Sequence, residues 1–143
     1  MTILIIHSDQ LETKVSALSE KLADDLKVMS IESFKDAEQY CKTELPEIII
    51  AQNYLPDGNA FDFCTRLRLL QNQQMIPIYI IAETHDKKER VQTFQVGADE
   101  YISEFDLEYL SALISHELDT NQLRQQLEQE KDQASNLVAE ALT

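Results

Sequence analysis

Glycine is scarce in this sequence: Gly58 and Gly97 are the only two among 143 residues. The phosphate-binding loops of dinucleotide-binding domains and P-loop enzymes need several glycines within a short stretch, so the sequence contains neither kind of loop. Each of the two glycines is expected to mark a turn that needs a positive φ or a close approach of the backbone.

Cysteines and long apolar runs are also few. Cys41 and Cys64 stand far apart without the ligand spacing of a metal site, and we expect free thiols in a reducing compartment. No apolar run reaches the ~20 residues that a membrane-spanning helix needs. The apolar residues 3–6 follow no basic segment and are too short for a signal peptide. These features predict a cytoplasmic protein.

Basic residues are outnumbered, because 12 Lys and Arg stand against 26 Asp and Glu, for a net charge of -14. Proteins that bind nucleic acid neutralise its phosphates with Lys and Arg, which this balance does not allow for the chain as a whole. The same charge disfavours an anionic membrane surface. We therefore expect neither nucleic acid nor a membrane as a partner.

Apolar runs alternate with helical patterns through about residue 115. Leu11, Val15, Leu18 and Leu22 recur at spacings of four, three and four, which is one face of a helix. Short apolar runs predict five strands, at residues 3–6, 28–31, 48–51, 78–82 and 101–102. This alternation predicts a doubly wound α/β fold, a five-stranded parallel sheet with helices on both faces. For a chain of this size without a dinucleotide fingerprint, we expect the flavodoxin-like strand order 2-1-3-4-5.

Polar residues mark where several helices begin. Ser8, Ser33, Asn59 and Asp106 each precede a helical pattern and have side chains that can cap it. Such caps accept hydrogen bonds from backbone N–H groups that have no partner inside the helix.

The fourth helix is predicted over residues 86–96. Val91 and Phe94 are expected to face the sheet, and Gly97 is expected to end the helix. The basic residues of this helix are expected to form a solvated face: Lys87, Lys88 and Arg90.

The composition changes in the last part of the chain, which is rich in Gln, Glu, Asp and Ala. Residues 118–143 are expected to form a projecting helix, a coiled-coil or linker segment that continues the fifth helix of a domain over residues 1–117. A heptad seam, interrupted at Thr120 and Glu130, supports pairing of this helix. Its members are Leu123, Leu127, Ala134, Leu137 and Ala141. A helix this polar seldom stays ordered unless it pairs with another.

Several segments, taken in order, resemble the receiver domain of two-component response regulators. They are the apolar run 3–6, Pro-Glu-Ile-Ile-Ile at 46–50, Leu-Pro-Asp-Gly at 55–58, Ile-Pro-Ile-Tyr-Ile at 76–80 and Gly-Ala-Asp-Glu-Tyr-Ile at 97–102. Each is weak alone, but the ordered set at this spacing is specific, and it covers roughly residues 2–116. The resemblance implies a signalling module within a longer regulator or sensor protein.

The resemblance also implies where a phosphorylation site should be. The family phosphorylates an aspartate after the third strand, holds Mg²⁺ with two acids after the first, and uses a hydroxyl and a lysine after the fourth and fifth. Phosphoryl transfer needs such a carboxylate, a hard cation and a positive charge. In this sequence Gln52 stands at the aspartate position, and His7 and Ser8 stand at the positions of the two acids. Ala82 stands at the position of the hydroxyl residue, and Glu104 at that of the lysine.

Only part of this pattern is retained. Asp9 is the one acid left near the first strand, and Tyr101 keeps the aromatic position that reorients on activation in the family. The resemblance therefore predicts a degenerate receiver, with no enzymatic activity, no metal and no cofactor, that acts by contact with other signalling proteins. A homodimer is expected through the fourth helix, fifth strand and fifth helix or through the C-terminal helix.

One compensation and two alternatives remain open. His7 and Glu104 reverse the signs of charge that the family places there, and they are predicted to form a swapped ion pair. One alternative is a functional receiver, or an enzyme, that uses Asp9, Asp57 or His7. The other is a small-molecule sensor with a cleft lined by Gln52, Ala82 and Tyr54.

Overall fold

The computed structural model describes residues 1–22, 24–70 and 76–142, with side chains described as far as residue 130. The strands are β1 (Thr2–Ile6), β2 (Lys27–Ile31), β3 (Ile48–Gln52), β4 (Tyr54–Leu55), β5 (Gly58–Asn59), β6 (Ile78–Ile81) and β7 (Glu100–Ile102). The helices are α1 (Glu12–Lys21), α2 (Phe34–Thr43), α3 (Ala60–Leu70), α4 (Lys87–Gln95) and α5 (Leu107–Leu142).

Five of the strands form one parallel sheet in the order β2-β1-β3-β6-β7. The predicted α/β fold and strand order are confirmed, since β6 and β7 are the fourth and fifth strands of the sequence pattern. β4 and β5 form a separate two-stranded antiparallel hairpin, which no pattern in the sequence indicated. The parallel order brings the carboxyl ends of β1, β3, β6 and β7 to one edge.

The sheet is buried on both faces because successive side chains of each strand point in opposite directions. Leu4 and Ile6 pack on the side of α2 and α3, and Ile3 and Ile5 pack on the side of α1 and α5. All four are essentially inaccessible to solvent. The continuous apolar runs therefore fill two cores, one on each face.

Three of the predicted helix caps are confirmed. Ser33 Oγ accepts from Asp36 N at 3.1 Å, and Asn59 Oδ1 accepts from Asp62 N at 2.9 Å. Asp106 Oδ1 accepts from Tyr109 N at 3.1 Å. Ser8 makes no such bond, since a 3₁₀ turn over Asp9–Leu11 separates it from α1.

The orientation predicted for α4 is wrong. Val91 and Phe94 are 52% and 56% exposed, and Thr93 is the buried residue of this helix. The inward positions belong to Glu89, Thr93 and the partly buried Val96, at spacings of four and three. Because Glu89 and Thr93 occupy the face of α4 that packs on the domain, the apolar residues of the helix predicted the wrong face as the buried one.

Gly97 follows α4 with a φ of 86°, as expected of a glycine that ends a helix. This left-handed conformation is costly for a residue with a Cβ atom. The backbone turns here from α4 into the segment that leads to β7.

The predicted long C-terminal helix is present, since α5 runs unbroken for 36 residues. Leu110 and Ile114 are buried against the sheet, and Leu118 is the last leucine among the described side chains of α5 that packs on this core. The side chains of residues 122–130 are exposed, including Leu123 at 59% and Leu127 at 64%. The rest of the predicted seam lies outside the described side chains. No described helix is long and apolar enough to cross a membrane.

Both cysteines are free thiols buried in the core. Burial raises the pKa of the Cys41 thiol to about 11, with a smaller effect from the charge of Glu38. Burial also raises the pKa of Cys64, whose Sγ lies 3.3 Å from the Val96 carbonyl oxygen. Protonated, enclosed thiols of this kind are poor nucleophiles.

Candidate functional site

The carboxyl ends of four strands bring the predicted site residues to one edge of the sheet. His7 and Ser8 follow β1, Gln52 ends β3, Ala82 follows β6 and Glu104 follows β7. We call these five residues the strand-end site. Ligands of open α/β folds bind at this edge.

Gln52 is fixed in place by a hydrogen bond to a neighbouring loop. Its side chain is largely buried, and Oε1 accepts from the backbone N–H of Ser8 at 2.8 Å. Its Nε2 has no acceptor among the described residues, and the side chain lines a cavity of about 330 Å³. The amide therefore ties β3 to the loop after β1 and leaves a donor at the cavity.

His7 is buried, at 2% exposure, and it turns toward its own loop. Nδ1 lies 2.7 Å from the carbonyl oxygen of Ser8, so it carries the proton and donates. Nε2 is buried without a partner among the residues described. The predicted ion pair with Glu104 is not formed, because the His7 ring faces this loop while Glu104 lies at the cavity. The prediction is therefore wrong.

Two carboxyl groups lie beside this loop. A hydrogen bond with Asp9, together with its negative charge, raises the pKa of the exposed Glu32 carboxyl. Two negative charges this close repel each other, so the Glu32 carboxyl holds its proton more strongly than an isolated one. Across the described residues, no three His, Cys, Asp or Glu side chains come together in a way that could hold a metal ion.

The cavity at the strand-end site carries both signs of charge. Lys14 from α1 lines it together with Gln52, while Glu83 and Glu104 come from the loops after β6 and β7. No described ion pair joins Lys14 to either acid. Sequence reasoning missed Lys14 because it lies on a helix rather than at the end of a strand.

The predicted lining of a cleft is correct in two of three residues. Gln52 and Ala82 line the cavity, but Tyr54 does not. Tyr54 is 55% exposed, and its ring centroid lies 6.4 Å from that of Phe61. Tyr54 therefore lies outside the cavity, with its ring near Phe61.

A second polar network lies beside the cavity, between β3, α4 and β7. Asn53 Nδ2 donates to Glu89 Oε1 at 3.0 Å. The Tyr101 hydroxyl donates to the Thr84 carbonyl oxygen at 3.2 Å and lies 3.4 Å from Glu89 Oε2. Burial raises the pKa of Tyr101, and the charge of Glu89 adds to this rise. Sequence reasoning identified Tyr101 but not the contact between Asn53 and Glu89, which spans 36 positions in sequence.

Comparison with known proteins decides the family. Residues 3–115 match the family model of the response regulator receiver domain. The chain belongs to this family. The response regulator protein GraR of Staphylococcus epidermidis is 28% identical over 103 residues, which are 71% of this chain and 44% of GraR. The chain thus spans less than half the length of the curated relatives it matches.

Solved receiver structures agree with this assignment. The N-terminal domain of the nisin resistance regulator NsrR is 30% identical, with a TM-score of 0.67, over 82% of this chain and 97% of that domain. A putative response regulator from Chloroflexus aurantiacus shares the fold with a TM-score of 0.73 at 22% identity, over 82% and 97% of the two chains.

In this receiver domain, Asp57 has a structural role. Its Oδ1 accepts from Phe34 N at 3.1 Å, and its Oδ2 accepts from Lys35 N at 2.9 Å. The carboxylate of the β4–β5 hairpin therefore satisfies two N–H groups at the start of α2, where negative charge is favourable. Both carboxylate oxygens are engaged in these contacts.

The Gly-Ala-Asp motif of the receiver domain also has a structural role. Arg68 on α3 donates from Nη2 to the Gly97 carbonyl oxygen at 2.8 Å and lies 3.4 Å from Asp99 Oδ2. The same Asp99 oxygen accepts from the backbone N–H of Ile78 at 2.9 Å. This motif therefore joins α3, the start of β6 and the turn after α4.

The basic residues of α4, Lys87, Lys88 and Arg90, are all exposed. Their side chains form no ion pair among the residues that the structure describes. The solvated face predicted for this helix is confirmed.

Proposed function

We propose that this receiver domain is a pseudo-receiver, which signals by protein–protein contact without being phosphorylated. The observation that carries the proposal is Gln52, an amide at the position where the family has its acceptor aspartate. Its Oε1 already accepts from Ser8 N. An amide oxygen is far less nucleophilic than a carboxylate, so no acyl phosphate is expected there.

The surroundings of Gln52 support the same proposal. Ala82 has no hydroxyl to bind a phosphoryl oxygen, and Glu104 places a negative charge where the family has a lysine. Phosphoryl transfer needs positive groups that neutralise developing charge. Glu83 and Glu104 at the cavity would instead repel a phosphodonor, and Lys14 is the one cation among the lining residues that the structure describes.

The other candidate acceptors are poorly placed. Both oxygens of Asp57 bind the start of α2, and His7 is buried with Nδ1 bound to its own loop. Asp9 is close enough to Glu32 to raise the pKa of that carboxyl. These contacts argue against a receiver that has moved its phosphorylation site to an atypical residue.

Two surfaces are proposed for partner contact. On α4 and α5, Val91, Phe94 and Tyr109 are large and exposed, so the face formed by α4, β7 and α5 offers apolar surface to a partner. The second surface is the projecting segment predicted at residues 118–143, whose described side chains are exposed over residues 122–130. Because exposed apolar groups gain free energy when buried, both surfaces fit a homodimer or a second signalling protein.

Mass spectrometry after incubation with acetyl phosphate and Mg²⁺ tests the proposal. The full chain is expected to keep its mass, while a receiver domain with a complete acidic site gains one phosphoryl group in the same mixture. A stoichiometric gain in this chain that is lost in Asp9→Asn would show phosphorylation at Asp9 and contradict the proposal.

The alternative of a small-molecule sensor is favoured by one observation, the cavity of about 330 Å³ with Lys14 and Gln52 on its wall. A mass measured under non-denaturing conditions distinguishes the two functions. A copurified small molecule that remains bound to the chain would favour the sensor.

A further inference from the structure

Helix α4 is attached to the domain by few apolar contacts. Thr93 is the buried residue of the helix, while Val91 and Phe94 lie in solvent. The helix begins with a local cap, because Asp86 Oδ1 accepts from Lys88 N at 2.8 Å and from Glu89 N at 3.2 Å. That cap stabilises the first turn but does not join it to the sheet.

The connection to the strand ends comes from one carboxylate. Glu89 uses Oε1 to accept from Asn53 Nδ2 at 3.0 Å, and its Oε2 lies 3.4 Å from the Tyr101 hydroxyl. Asn53 is itself fixed, because its N–H donates to Ile81 O and its Oδ1 accepts from Tyr54 N. The carboxylate of α4 therefore contacts side chains that follow β3 and lie on β7.

We propose that Glu89 is a positioning residue, which latches α4 to Asn53 and Tyr101 and so fixes the apolar surface of Val91 and Phe94. We call the contacts among Glu89, Asn53 and Tyr101 the latch. None of these three side chains needs to be phosphorylated to make the latch contacts. The latch therefore holds α4 in the position described here without phosphorylation. The role of that surface in partner contact rests on the function proposed above, whereas the latch itself does not.

The strength of the latch comes from the negative charge on its acceptor, the Glu89 carboxylate. Hydrogen bonds to an ionised carboxylate are stronger than those between neutral groups. Asn53 is buried and Glu89 is half-buried, so water competes weakly for their contact. Loss of the carboxylate should release α4 locally, because little apolar burial remains to hold it.

Amide hydrogen exchange of α4 measures this release directly. In Asn53→Asp, the side chain keeps its size and its acceptor for Tyr54 N, but it faces Glu89 with a negative charge. We expect the amides of α4 to exchange roughly tenfold faster, with those of β1 and β3 unchanged. Because the substitution lies outside α4, helix propensity cannot cause the change.

A second variant that exchanges the donor and acceptor roles of positions 53 and 89 should restore the contact. In the double variant Asn53→Asp/Glu89→Gln, the amide at position 89 donates to the carboxylate at position 53. Exchange in α4 should return to within roughly threefold of the unmodified chain. Glu108→Ala is the matched control, since Glu108 is an exposed first-turn acid of α5 that makes no described hydrogen bond, and it should leave α4 unchanged.

Unchanged α4 exchange in Asn53→Asp, or faster exchange that the double variant does not restore, would show that Glu89 is not a latch. A failure of the proposed function would be seen in a different measurement, since it would appear as a gain of mass on phosphorylation. The α4 exchange rates of the variants relative to the unmodified chain do not depend on that result.

Discussion

A chain that ends at Gln122 is expected to be monomeric at high micromolar concentration, where the full chain is expected to be dimeric. Residues 122–130 of α5 are exposed, and this stretch includes Leu123 and Leu127, which have most of their side-chain surface in water. Each leucine that becomes buried between two helices contributes about 1.5–3 kcal/mol before ordering costs. The cut at Gln122 keeps Leu118 on the core, so the domain body should stay folded.

Light scattering on both chains measures this difference. The double variant Leu123→Gln/Leu127→Gln of the full chain is the control, since it keeps the length and helical character of the tail. It should be monomeric like the shortened chain. If all three species are monomeric at high micromolar concentration, the tail is a linker. If all three are dimeric, the face of α4, β7 and α5 carries the dimer instead.

Asp99→Ala is expected to lower the free energy of unfolding by about 2 kcal/mol, because it leaves a backbone N–H without its acceptor. Asp99 Oδ2 accepts from Ile78 N, which lies in the core, and lies 3.4 Å from Arg68 Nη2. The Arg68 side chain is only 16% exposed, so its charge would lose a close partner in a poorly hydrated place. The half-exposed carboxylate of Asp99 keeps the effect from being larger.

Urea unfolding of Asp99→Ala and Asp99→Asn separates the two contributions. Asparagine keeps an oxygen for Ile78 N and removes only the charge, so its loss should be about 1 kcal/mol or less. Equal losses in the two variants would show that the charge next to Arg68 matters more than the backbone hydrogen bond.

Most of the fold could be predicted because burial on both faces leaves continuous apolar runs in the sequence. Residues 3–6 and 48–51 read as strands for this reason, and their parallel pairing follows from the intervening helices. The β4–β5 hairpin was missed because two-residue strands leave no periodic pattern. The wrong face of α4 has a related cause, since Glu89 and Thr93 replace apolar residues on its buried stripe.

The candidate site was predictable in its location but not in its contacts. Strand ends placed Gln52, Ala82 and Glu104 around one cavity. The pairing of His7 with Glu104 failed because the direction of a side chain depends on its rotamer, and Nδ1 of His7 binds the adjacent carbonyl. Contacts such as that of Asn53 with Glu89 join residues distant in sequence, and no local pattern indicates them.

The most direct measurement is the light-scattering mass of the full chain, taken with and without acetyl phosphate and Mg²⁺ at one protein concentration. A phosphorylation-independent module with Gln52 at the acceptor position should show the same association state in both solutions. A monomer that becomes a dimer only when the phosphodonor is present would contradict the proposed function.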